Sequence, residues 1–201
     1  MSEPAPAEAP QPARAPLEVR VGSATNALQP IPGAERSLAA GSVQWIELAV
    51  VAAAAAGADQ LTKAIVSSQL ALGDAVEILG PFSIHHVRNT GIAFGLFSGA
   101  TSIVILLTSL AIGALVLFFA RSGRRHPLLP VAVGLVLGGS VSNLVDRLRL
   151  GHVTDFLELD YWPAFNLADT FIVVGVGLLF LSFVAADRSS ARVGTSPLSR
   201  S

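Results

Sequence analysis

The sequence predicts an all-α membrane protein: four transmembrane helices with a small extracytoplasmic β-rich segment. Three observations carry that prediction. The 201 residues are 52% hydrophobic and only 13% charged, with a mean hydropathy of +0.62, whereas soluble domains carry about 25% charged residues. Four apolar stretches are each long enough to cross a hydrocarbon core of about 30 Å, which takes roughly 20 helical residues. The polar clusters that do occur within these stretches gather at the ends on one side of the predicted bundle.

Residues 1–42 are rich in Pro, Ala and Glu and contain no apolar run that could seed a core, so they read as a disordered cytoplasmic tail. No basic segment leads directly into a short apolar core, which separates this tail from a secretory signal. The first span is placed at 43–66, with Trp45 near one end. An outer segment follows, from about Ser67 to Ala100. Its Gly73-Asp74 and Gly80-Pro81 pairs are turn signals, and Val76/Ile78 and Phe82/Ile84 alternate at strand period, which predicts a small sheet. The second span, 102–120, is the most uniformly apolar. The third, 128–148, contains Gly134, Gly138, Gly139, Ser140 and Ser142, small residues that let helices approach closely. A second outer segment, from about Arg149 to Phe165, leads into the fourth span at 166–186 and a short tail at 187–201. The membrane domain is therefore expected to occupy 43–186.

Orientation follows from the short loops. Arg121-Ser122-Gly123-Arg124-Arg125-His126 holds three arginines in six residues, and Arg188, Arg192 and Arg200 follow the last span. Positive loops stay inside, so both termini are expected in the cytoplasm and the two longer segments outside.

Several function classes fall away on composition. A net charge of −1 without a basic stripe gives no nucleic-acid footprint. The absence of cysteine removes disulfides, thiolate catalysis and cysteine-ligated zinc from the chain. His85 and His86 have no second histidine pair at ligand spacing, and His126 and His152 are scattered, so no metal site is expected.

What remains is a set of polar residues at the outer ends of the spans. Asp59 and Lys63 are four apart on one helical face, a favourable pair that could equally anchor a helix end. Asn143, Asp146 and Arg147 close the third span, with Asn143 and Arg147 on one face; meeting lipid headgroups would also account for them. Asn166 can cap the fourth helix while Asp169 occupies its first turn. Capping does not account for Asp155, in the preceding loop system. Gly91 is suited to a tight turn or a close backbone approach. Carboxylates near hydrocarbon are costly and mark function. Two that face each other can share one proton, the chemistry of an aspartic protease. Intramembrane acids also build proton relays, so a small carrier stays open on these residues, although carriers more often show repeated halves around a midplane site.

Five motifs, in order, resemble the lipoprotein signal peptidases, or type II signal peptidases, which are bacterial inner-membrane aspartic proteases of family A8. They are Asp59-Gln60-Leu61-Thr62-Lys63, Asn89-Thr90-Gly91-Ile92-Ala93-Phe94, the run from Gly138 to Arg147, Gly151-His152-Val153-Thr154-Asp155-Phe156, and Phe165-Asn166-Leu167-Ala168-Asp169. The match covers about Ile46 to Val184. Ser142 stands where the family pattern carries glycine, and Ser140 where it carries alanine; both are small enough for helix packing to survive. The resemblance implies that Asp155 and Asp169 are the catalytic pair, that Asn89, Asn143, Arg147 and Asn166 line the site, and that Asp59, Lys63 and Gly91 support it. It also implies an intramembrane endopeptidase acting on diacylglyceryl-modified prolipoproteins and cleaving before the lipid-modified cysteine. Cofactor and metal are not implied. Membrane lipid is the expected surrounding, a monomer the expected working unit, and the active site is expected near the outer face. A non-catalytic lipoprotein-binding relative is the remaining rival.

Overall fold

The computed structural model describes residues 38–91 and 101–193, with side chains described through Val184. The expected N-terminal tail up to residue 37, the last residues from 194, and Ile92-Ala93-Phe94 of the second motif lie outside the described residues. The elements run α1 (Ser42–Gln69), β1 (Ala75–Leu79), β2 (Phe82–Asn89), α2 (Thr101–Ser122), α3 (Leu129–Leu150), β3 (Val153–Leu159), β4 (Trp162–Phe165) and α4 (Leu167–Val193). All four helices are long and apolar enough to cross a membrane. Each predicted span lies within a residue or so of its helix at the start, and α1 and α4 continue past the apolar stretch; a boundary set by hydropathy ends before the hydrogen-bonded helix does.

The central element is α3. Of its apolar window 61% is buried, against 22% or less for each of the other helices. Its glycines explain this. A Cβ on Gly138 would lie 2.5 Å from the Ala52 carbonyl oxygen of α1, and one on Gly134 would lie 3.0 Å from the Leu48 oxygen. A Cβ on Gly139 would collide with the Ala168 carbonyl of α4, and one on Gly175 of α4 would lie 2.7 Å from the Ala132 oxygen. Bare backbone thus faces both neighbours, the small-residue route to helix association where lipid is as apolar as leucine. Toward the arginine-rich α2–α3 loop the bundle closes on Leu48, Phe119, Leu129, Val133 and Leu137. There Trp45 meets Phe119 edge-on, with ring centroids 5.0 Å apart.

At the other end sits a four-stranded antiparallel sheet in the order β1-β2-β3-β4. Its first hairpin turns at Gly80, φ +57°, as the Gly80-Pro81 signal predicts. The alternation at Val76/Ile78 and Phe82/Ile84 does form the two predicted strands, while β3 and β4 carry no comparable sequence signal. Asp155 therefore lies on a strand. Gly151, at φ +76°, lets the chain leave α3 in a left-handed turn and enter β3 at Val153. That turn brings the sheet directly against the helix ends.

Candidate active site

Asp155 stands on β3, 1% exposed, with both carboxylate oxygens engaged. Asn89 at the end of β2 donates Nδ2–H to its Oδ2 at 2.9 Å. Asn166 donates Nδ2–H to its Oδ1 at 2.7 Å. Antiparallel register places Asn89 opposite Val153 and Val87 opposite Asp155, so the amide and the carboxylate share one face of the sheet.

Asp169 enters from α4. The Asn166 Oδ1 accepts the Asp169 backbone N–H at 3.0 Å, the N-cap bond that the sequence predicts, and this fixes the first turn. The Asp169 carboxylate accepts Asn143 Nδ2–H at 2.9 Å on Oδ1, and the Asn166 backbone N–H reaches Oδ2 at 3.4 Å. Asn166 is wholly buried. The second hydrogen of its amide goes to Asn143 Oδ1 at 3.1 Å. One side chain therefore caps α4, holds Asp155 and braces the asparagine that holds Asp169.

Behind these asparagines lies a buried ionic network. Lys63 Nζ forms ion pairs with Asp59 Oδ2 at 2.6 Å and Asp146 Oδ2 at 2.8 Å and donates a hydrogen bond to Asn143 Oδ1 at 2.9 Å. Because the ammonium has no acceptor, Asn143 must turn its oxygen to Lys63 and its amide hydrogens to Asp169. Asp59, fully buried, also accepts Ser142 Oγ–H at 2.6 Å and the Ala168 backbone N–H at 2.9 Å. That last bond ties α1 to the turn carrying Asp169. Gln60 donates to Asp146 Oδ1 at 2.7 Å and to Ser142 Oγ at 2.9 Å. Arg147 donates Nη2–H to the Gly91 carbonyl at 2.7 Å, so that Gly91 and the end of α3 are joined across the site.

Asn89, Asn143, Arg147, Asp155 and Asp169 line one cavity of about 290 Å³. Val104 and Ala111 of α2 and Ile172 of α4 form its apolar wall. Burial, opposed by the Asn89 hydrogen bond and reinforced by the negative charge of Asp169, pushes the Asp155 carboxyl up to about 6. The group can therefore carry a proton near neutral pH, while the cavity offers amide donors on either side.

The structure brings together all nine residues expected at the site: seven in the cavity and its amide bridge or on the Arg147 contact, with Asp59 and Lys63 behind them. Sequence reading passed over Gln60 and treated Ser142 only as a small residue, whereas its hydroxyl is part of the network. Asp146 was placed in a helix-end cluster, but its partner proves to be Lys63 on another helix. Helical spacing finds neighbours within a helix, and these bonds cross between α1 and α3. His85 pairs with Glu158 at 2.7 Å and His86 Nδ1 with the Leu70 carbonyl oxygen at 2.9 Å, both away from the cavity.

Comparison with known proteins gives the family. Residues 51–185 match the family model described as signal peptidase (SPase) II. A lipoprotein signal peptidase of Symbiobacterium thermophilum is 43% identical over 145 residues, covering 69% of this chain and 95% of the relative. One from Dehalococcoides mccartyi is 43% identical over 139 residues, covering 66% and 86%. Of the solved structures, a bacterial membrane enzyme determined by the in meso method at 2.3 Å superposes with a TM-score of 0.64 at 30% identity, covering 68% of this chain and 86% of its own. A second such enzyme, at 1.9 Å, gives 0.61 at 30% identity, covering 67% and 90%. With its four spans and buried aspartates, the chain belongs to the signal peptidase II family of bacterial multi-pass membrane proteases.

Proposed function

We propose that the protein cleaves diacylglyceryl-modified prolipoproteins before the lipid-modified cysteine, with Asp155 and Asp169 as its catalytic pair. The observation that carries this reading is that both carboxylates line one cavity while the Asn166 side chain bonds the first and caps the turn of the second. Close, buried carboxylates resist double ionisation, so the pair holds one proton and titrates jointly. The ionised member takes a proton from water, whose oxygen attacks the scissile carbonyl. The protonated member hydrogen-bonds the carbonyl oxygen and then supplies a proton to the leaving nitrogen.

The surrounding residues divide the remaining work. Asn143 and Asn166 hold the carboxylates at fixed separation, and Asn89 keeps Asp155 turned into the cavity. Lys63 and Asp59 orient Asn143 and the first turn of α4. Arg147 holds Gly91 at the cavity mouth, and its buried Nε, without a hydrogen-bond partner among the described residues, is a donor within reach of bound peptide. The arginine-rich α2–α3 loop supports a cytoplasmic position for both termini, with the cavity toward the outer face. All of these side chains come from one chain, so a monomer suffices.

The test is cleavage of a diacylglyceryl-modified prolipoprotein by purified protein, with Asp155→Asn and Asp169→Asn in parallel. Wild-type turnover and a loss of at least about 10³-fold in each folded variant are expected. Normal turnover in either variant would sink the pair. Substrate binding without cleavage by the wild type would favour a lipoprotein-binding protein instead.

A further inference from the structure

The sheet is amphipathic, and its apolar face begins at Asp155. Side chains alternate across a strand, so Val153, Asp155, Leu157 and Leu159 of β3 point to the same side. Leu157 is about 7 Å and Leu159 about 13 Å beyond Asp155 along that strand. Strand register extends these two positions into apolar rows across the whole sheet. The first row joins Val76, Ile84, Leu157 and Phe165. The second joins Leu79, Phe82, Leu159 and Trp162.

The outer part of the opposite face is polar: Glu77, Ser83 and Glu158 form one row, and His85 bonds Glu158. On the apolar side, Ile78, Leu79, Phe82, Ile84 and Leu157 line a depression of about 390 Å³ whose only polar lining residue is Ser83. Leu79 is 80% and Phe82 47% exposed. Along β3 the residues through Phe156 are buried, and Leu157 to Leu159 are partly exposed. An apolar ledge therefore leads away from the catalytic carboxylate.

We propose that this ledge, the Val76–Phe165 and Leu79–Trp162 rows, is the seat of an acyl chain of the lipid-modified substrate. The inference rests on the function proposed above. The scissile bond immediately precedes the cysteine that bears the lipid, so an acyl chain starts eight bonds from the scissile carbonyl, through the cysteine side chain and the glyceryl group. A surface that is apolar from two residues beyond Asp155 to the far edge of the sheet suits that chain. It offers the extending peptide no row of hydrogen-bonding side chains.

The experiment uses a lipobox peptide carrying either a dipalmitoyl or a dibutyryl glyceryl thioether on its cysteine, cleaved by full-length protein in nanodiscs. Phe82→Asn and Leu79→Asn are expected to lower kcat/KM for the dipalmitoyl peptide about tenfold, the scale of one lost large apolar contact, and to leave the dibutyryl peptide within about twofold. Equal losses for both peptides, or no loss for either, would overturn the assignment. A direct readout comes from Trp162 fluorescence in a Trp45→Phe, Asp155→Asn background. Bromine on the peptide's acyl chains should quench Trp162. Quenching by brominated bulk phospholipid alone would mean that the face rests in the bilayer, and self-association that removes the quenching would mean that a second copy covers it; each overturns the proposal. Wild type that cleaves neither peptide would instead reject the proposed function, while the Trp162 measurement still reports whether the ledge takes the chain.

Discussion

The pairing of α1 with α3 is held in two different ways along its length. Toward the arginine-rich loop, Leu48, Leu137 and Val133 pack with Phe119, and Gly134 and Gly138 let backbones touch. Toward the sheet, the same two helices meet through Asp59, Gln60, Lys63, Ser142, Asn143 and Asp146, nearly all buried. A membrane supplies little hydrophobic drive for helices to associate, so close backbone contact and polar bonds must supply it. The glycine half stabilises the bundle without chemical consequence. The polar half does the same work and in addition orients the asparagines that hold Asp155 and Asp169. Substitutions in the first half should therefore cost stability alone, and those in the second should cost stability and turnover together.

The largest break of that contrast is Lys63→Met. It leaves the Asp59 and Asp146 carboxylates buried without a counter-charge, which costs roughly 3–5 kcal/mol, and it removes one of the two donors to the Asn143 oxygen. Thermal unfolding in detergent should register the loss. The triple change Asp59→Leu, Lys63→Met, Asp146→Leu sharpens the point: stability should largely return while cleavage does not, because Asn143 then keeps only the Asn166 amide as a donor to its oxygen. If cleavage also returned, the network would be structural only.

Gly138→Val tests the other half. Its Cβ would meet the Ala52 carbonyl at 2.5 Å, a backbone atom that cannot swing away. Helix separation should cost roughly 2–3 kcal/mol, with turnover per folded molecule close to wild type.

Proton linkage at Asp155, a carboxylate at the sheet end of the bundle, is of similar size. Its carboxyl is held at about 6, above the unfolded value of about 3.9, so the native state binds this proton more tightly. Stability is fully supported below about pH 4 and falls as pH rises toward 6, by roughly 2–3 kcal/mol in all. Unfolding midpoints followed between pH 4 and 8 should show that slope, and Asp155→Asn should flatten it. An unchanged slope in the variant would assign the effect elsewhere.

Phe119→Ala is the smallest. In a soluble core it would cost about 3–5 kcal/mol, but within a bilayer the transfer component largely vanishes. Lost packing against Trp45 and its neighbours leaves about 1–2 kcal/mol, with kcat unaffected. A loss on the soluble scale would mean that this end of the bundle is shielded from lipid.

The sequence was most legible where the signal is local. Apolar length located four helices, and alternation located β1 and β2. Spacing paired Asp59 with Lys63 and gave Asn166 its cap, because both bonds join residues within one turn. It did not reveal the strand beneath Asp155. Strand β3 draws its stability from pairing with Phe82–Asn89, more than sixty residues away, and from packing on the helix ends, and neither leaves a mark in a short window. The Ser142 hydroxyl was hidden for the same reason: its partners, Asp59 and Gln60, are on another helix.

By itself, then, the sequence determined that this chain spans a membrane four times, that the polar clusters within its spans lie toward one side, and which motifs it shares with a peptidase family. These are properties of composition and spacing, set by the cost of polar groups in hydrocarbon. Only the tertiary structure decided that Asn166 would serve both aspartates, that Lys63 would turn Asn143 toward one of them, and that an apolar ledge would run outward from the other. Each depends on directed bonds or register between segments far apart in sequence, and such geometry exists only after the helices and strands have met.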